Sequence, residues 1–158
     1  MLKDLLDDHR LTAAGLLIEV HGSLRAIIGA QWAQDRFVRV PDFDALIRLA
    51  RSPGRRLRMC DLAAQMSLSA SGATRLVDRL EGQRLVRREA CPGDRRSSLT
   101  VLTDGGVARV TATLPSLVDG VERWFTGLLN PAQLQVTLAA LRVIREAVRP
   151  GADAGAVG

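Results

Sequence analysis

Apolar residues recur at helical spacing along most of this chain. Between residues 10 and 33 a stripe runs through Leu17, Val20, Leu24 and Ile27, which predicts a long first helix. Pro41-Asp42 opens a second helix carrying Phe43, Leu46, Ile47 and Leu49, stopped by Ser52-Pro53-Gly54. Asp61–Met66 predicts a short helix with Leu62, Ala63 and Met66 on one face, and Ser67-Leu68 a turn after it. Ser69 then stands as an N-cap, its hydroxyl able to accept from the free N–H groups of a first turn. Ala73, Leu76, Val77 and Leu80 follow at helical spacing. The period then changes. Leu85–Ala90 and Ser97–Leu102 predict strands; in the second, Leu99 and Val101 alternate with Ser98 and Thr100, as in a half-buried strand. Cys91-Pro92-Gly93-Asp94 joins them, and Pro followed by Gly fits a type II turn. Thr103 caps a long helix with Val107, Val110, Leu114, Leu117, Val121, Trp124 and Leu128, in which Pro115 predicts a bend. Asn130-Pro131 opens a last helix with Leu134, Leu138, Leu141 and Val148, and the Gly/Ala-rich stretch 150–158 predicts a disordered tail.

Two short helices joined by a tight turn, then strand, loop and strand, make the order of a winged helix-turn-helix. The predicted fold is mainly α with a small β-wing. One domain spans 1–149, with the winged helix-turn-helix over about 42–102 and flanking helices at about 10–33 and 104–149. Opposite the apolar face of the second motif helix lie Ser71, Thr74, Arg75 and Asp78. Hydroxyls can meet phosphates or base edges, and an arginine can fork onto a guanine. The wing adds Arg87, Arg88, Arg95 and Arg96. Residues 48–96 hold 12 arginines against 5 acidic residues, a net of +7, whereas the whole chain is +5. Positive charge is thus concentrated on the motif, as a DNA footprint requires. One lysine against 21 arginines marks a compositional bias; that bias accounts for arginine over lysine but not for the clustering.

In sequence order, Leu62-Ala63, Ser69-Ala-Ser-Gly-Ala-Thr-Arg-Leu-Val-Asp-Arg-Leu80, Leu85-Val-Arg-Arg88, Asp94-Arg-Arg96 and Leu102-Thr103 resemble the MarR family of transcriptional regulators. The resemblance covers nearly the whole chain. It implies a dimer held by the N- and C-terminal helices, Asp94 orienting the wing, and Arg96 as the wing's DNA-contacting arginine. It places Ser71, Thr74 and Arg75 in the major groove and Arg79 near the DNA backbone; Ser69, Arg88 and Arg95 complete the expected DNA-binding set. Two positions depart from the family pattern. Arg84 stands where a glycine usually closes the recognition helix, so either Arg84 takes a strained conformation or the helix ends at Gly82. Cys60 occupies a usual Ser or Thr cap position, so the first motif helix is weakly capped or starts at Asp61.

Catalysis finds little support: there is no CxxC, HExxH or Gly-rich phosphate loop, and no cofactor or metal is expected. No uninterrupted apolar run reaches membrane-spanning length, so a cytoplasmic protein without a membrane partner is expected. On the first helix His21, Arg25, Ile28 and Trp32 share a face, which suits a small aromatic or carboxylate effector; ordinary packing, with His21 and Arg25 at a dimer rim, is the simpler alternative. Cys91 lies among the wing arginines, where positive charge favours the thiolate and hence oxidation, whereas Cys60 is expected to be partly buried. The expected function is a sequence-specific DNA-binding regulator, a repressor acting as a homodimer on a pseudo-palindrome. The alternatives are a redox-sensing regulator through Cys91 and a winged-helix protein-interaction module without DNA binding.

Overall fold

The computed structural model describes residues 6–34, 39–91 and 94–148, with the side chains of 32–34 and 94–97 left out. The predicted tail and the Pro92-Gly93 turn lie outside the described residues. The chain divides into two compact units, Met1–Val40 and Pro41–Gly158.

The first unit contains helix α1 (His9–Gln34). Asp8 caps it: its carboxylate accepts the Arg10 backbone N–H at 2.8 Å, and its carbonyl accepts from Leu11 and Thr12. The Arg10 guanidinium closes on the same carboxylate and holds Asp8 below the usual carboxylate range. Leu11, Leu16, Leu17, Ile18 and Val20 are exposed along it. Within His9–Gln31 an 18-residue window has a mean hydropathy of 1.4, so by length and composition alone this helix is long and apolar enough to cross a membrane. The expectation concerned uninterrupted apolar runs, and this helix is not one. Glu19, His21 and Arg25 break this one, and each is costly at the centre of a bilayer.

The second unit runs α2 (Val40–Arg51), a 3₁₀ turn (Pro53–Arg55), β1 (Arg56–Arg58), α3 (Met59–Gln65), α4 (Ala70–Gly82), β2 (Val86–Cys91), β3 (Asp94–Leu102), α5 (Asp104–Trp124), a second 3₁₀ turn (Thr126–Leu128) and α6 (Pro131–Val148). The sheet is antiparallel in the order β1-β3-β2. Strand β1 was not foreseen; Arg-Leu-Arg is too short to show a period, and only Leu57 is buried. Strand β2 starts one residue later than predicted, and β3 starts three residues earlier, drawing Asp94–Arg96 into a strand. Phe43, Leu46 and Leu49 of α2 meet Leu62 of α3, the α4 face Ala73-Leu76-Val77-Leu80, and Val86, Val101 and Leu102 of the sheet in one buried core. Each fully buried Leu or Val contributes about 1.5–3 kcal/mol.

The helix ends follow from local chemistry. Helix α3 has Arg58 at its N-cap with no side-chain cap, so it is weakly capped and starts two residues before Asp61. Both α3 and α4 end in Schellman motifs. After α3, Leu68 N–H donates to Ala63 and Ser67 N–H to Ala64, with Ser67 left-handed at φ 54°. After α4, Leu85 N–H donates to Leu80 and Arg84 N–H to Glu81, with Arg84 at φ 60°. The two alternatives posed by the sequence are thus both realised: the helix ends at Gly82, and Arg84 takes the left-handed conformation. Thr103 caps α5 by accepting Gly106 N–H at 3.0 Å. A Cβ at Gly106 would collide with the Leu85 carbonyl and the Leu102 side chain, so only glycine fits there. Helix α5 is continuous across Pro115 and stops at Trp124, leaving Leu128 in a separate turn. Asn130 and Gln133 form a reciprocal capping box at α6, with Pro131 in the first helical position. No residue of α6 is buried.

Candidate nucleic-acid interface

Helix α4 presents two faces. Its buried face fixes it to the core, and its outer face carries Ser71, Thr74, Arg75 and Asp78, all exposed. Ser69 caps it, accepting Gly72 N–H at 3.1 Å, and its hydroxyl pairs with that of Ser71 at 3.2 Å. Thr74 donates its hydroxyl back to the Ala70 carbonyl at 2.9 Å, which leaves both oxygen lone pairs able to accept. Arg75 Nε lies 3.4 Å from the Ser71 carbonyl, so its guanidinium stays over the first turn of the helix, where donors to a groove are needed.

Two arginines expected at the DNA are engaged within the protein. Arg79 Nη2 donates to Asp42 Oδ1 at 2.7 Å; Asp42 is 2 % exposed, and Arg79 Nε is itself buried with no hydrogen-bond partner among the described residues. Arg79 Nη1 also reaches the Arg75 carbonyl. Arg88, on β2, pairs through Nη2 with Asp78 at 2.6 Å and through Nη1 with Glu81, while its own backbone N–H donates to Glu81 at 3.0 Å. The hydrogen bond to Asp78, with Glu81 close by, raises the Arg88 guanidinium above its ordinary range. A third arginine, Arg87, pairs with Glu89 at 2.6 Å. Asp94, Arg95 and Arg96 are placed as strand backbone; their side chains lie outside the described residues.

An open cleft of about 750 Å³ lies between α3, α4 and the wing strands, with Met59, Cys60, Leu68, Thr74, Arg88 and Ser98 on its walls. Sequence reasoning missed it, because it depends on how α3 and the strands meet and no periodicity reports that. The two cysteines are reversed from expectation. Cys91 is 8 % exposed, closing β2 with its side chain inward, and Cys60 is exposed. A buried thiol meets oxidants slowly, so the switch proposed for Cys91 loses its access. Of the expected effector residues, His21 and Arg25 are exposed on α1, and the Trp32 side chain lies outside the described residues. No three His, Cys, Asp or Glu side chains cluster to hold a metal among the described residues.

A model of the MarR family matches residues 38–97. Sco3205, a MarR family transcriptional regulator from Streptomyces coelicolor solved in complex with DNA, is 32 % identical, with a TM-score of 0.80 over 89 % of this chain and 88 % of that one. AbsC, a MarR family regulator from the same organism, is 34 % identical, with a TM-score of 0.80 over 90 % of this chain and 95 % of that one. This chain belongs to the MarR family. It is a DNA-binding transcriptional regulator and not an enzyme. BpsR of Bordetella bronchiseptica, whose DNA binding is regulated by 6-hydroxynicotinic acid, shares the fold at 24 % identity and a TM-score of 0.72, over 84 % of this chain and 98 % of that one. No curated protein sequence matches the chain significantly. Within this MarR-family chain, the helix-turn-helix is α3 and α4, and the wing is β2 and β3.

Proposed function

We propose that this MarR-family chain is a cytoplasmic repressor that binds a pseudo-palindromic operator as a homodimer. The observation that carries the reading is the outer face of α4: Ser71, Thr74 and Arg75 stand exposed on a helix whose opposite face is locked into the core. Arg75 forks onto a base edge in the major groove, the two hydroxyls meet phosphate or base edges, and Arg96 and Arg95 on the wing reach the backbone or minor groove beside it. A homodimer explains the apolar residues that α1 and α6 leave exposed, and its two-fold axis supplies the second half-site. The test is fluorescence anisotropy of the full chain on a duplex that it selects from a random-sequence library. Arg75→Ala should weaken binding by about 1–3 kcal/mol and relax preference at one position per half-site. Arg96→Ala should weaken all duplexes evenly and lower the salt slope by about 0.9. Wild-type affinity in both variants would contradict the assignment.

An effector is a second reading, supported by His21 and Arg25, one turn apart and exposed on α1. A cation and an imidazole beside aliphatic surface suit an aromatic carboxylate. Titration of the chain–duplex complex with phenolic and aromatic carboxylate compounds tests it. Release of DNA that is lost in Arg25→Ala supports it, and no release by any compound removes it.

A further inference from the structure

The recognition helix is gripped on both flanks. On a helical projection the core face of α4 centres on Ala73, Leu76, Val77 and Leu80, and the outward face on Ser71, Arg75 and Asp78. Thr74, Asp78 and Glu81 recur at i, i+4 and i+7 along one flank, and all three are bonded by one residue of the wing. Arg88 holds the two carboxylates with separate guanidinium nitrogens, reaches the Thr74 carbonyl at 3.4 Å, and gives its backbone N–H to Glu81. On the opposite flank, Arg79 ties the helix to Asp42 of α2. All five guanidinium donors of an arginine lie in one plane, so two carboxylates held by one fork fix an angle as well as a distance.

We propose that Arg88, through Asp78 and Glu81, is a positioning residue that sets the angle between the recognition helix and the wing, rather than a contact to phosphate. The inference rests on the reading that α4 enters the major groove. A dimer must place two helices and two wings on one duplex at once, so a small rotation between helix and wing spoils specific binding while leaving non-specific attraction intact. The same pairing offsets one of the two negative charges that would otherwise face the DNA.

The two roles predict opposite signs. If Arg88 acts on phosphate, Glu81 is an electrostatic hindrance, and Glu81→Gln tightens binding to every duplex. If Arg88 positions the helix through Glu81, Glu81→Gln weakens the selected duplex although it makes the protein less negative. The experiment measures the affinity of the full chain for a duplex selected from a random-sequence library and for a shuffled duplex of equal length, across a salt series. Thermal unfolding of each variant is followed alongside. We expect Glu81→Gln and Arg88→Gln each to lose roughly tenfold on the selected duplex, the scale of one charge-assisted hydrogen bond. Affinity for the shuffled duplex and the salt slope of Arg88→Gln should stay near wild type, and Arg88→Lys should recover part of the loss. Tighter or unchanged binding by Glu81→Gln overturns the proposal, as does a salt slope lowered by about 0.9 in Arg88→Gln, the mark of one lost phosphate contact. Should Arg88→Gln fail to fold, the sign of the Glu81→Gln effect decides alone. A wild-type chain that enriches no sequence overturns the DNA reading itself, and the inference with it.

Discussion

The winged body and the outer helices of this chain use the same apolar residues to opposite ends. From Phe43 to Val110 most of the leucines and valines are buried, several of them completely, while Leu68, Leu99 and Val107 are half-buried. On α1 and α6, Leu16, Leu17, Ile18, Val136, Val143 and Ile144 stand exposed, and α6 buries nothing. The body has its own core. The apolar residues exposed on each of the two outer helices are the ones that the proposed homodimer would cover. Stability of the body should therefore be independent of concentration, and that of the outer helices should not.

The largest expected effect falls in the body. Leu76→Ala removes a side chain 2 % exposed from the inner face of α4 and should cost about 2–5 kcal/mol in denaturant unfolding, at any protein concentration. Its counterpart on the outer helices, Leu141→Glu with Ile144→Glu, should convert dimer to monomer in sedimentation while the spectroscopic signature of the body persists. A double variant that stays dimeric would merge the two regions again. Gly106→Ala should cost about 1–3 kcal/mol, because the added methyl meets the Leu85 carbonyl and the Leu102 side chain. Arg84→Gly should stabilise the body by about 1 kcal/mol, relieving a left-handed arginine; an unchanged midpoint would mean that Arg84 makes compensating contacts. The smallest effect lies at the start of α1. Arg10 lowers the Asp8 pKa in the folded chain, so the cap contributes above the ordinary carboxylate pKa. That contribution is lost as pH falls through the depressed folded value, and helicity should drop there by an amount that Asp8→Asn abolishes.

The same contrast separates what was readable in the sequence from what was not. Caps and faces within one element were legible: Ser69, Thr103, Asn130-Pro131 and the Ala73-Leu76-Val77-Leu80 face all hold, because each depends on neighbours within a few residues. Partners across elements were not. The charges of Arg79 and Arg88 are visible in the sequence, whereas the partner that Arg79 meets in the fold, Asp42, lies 37 positions away and is not. The cysteines failed for the same reason: Cys91 is buried where β2 closes, and no local pattern reports that. Thiol labelling checks the correction directly, with Cys60 expected to react fast in the native chain and Cys91 only on unfolding.

The central claim is that two copies of this chain read one duplex through α4. Its most direct test is the affinity for a selected pseudo-palindrome after the half-sites are moved apart by half a helical turn, about 5 base pairs. The account predicts that binding falls to the level of a shuffled duplex, because the second α4 then faces away from its groove. Unchanged affinity would show that a single copy recognises the site and would contradict the dimeric reading.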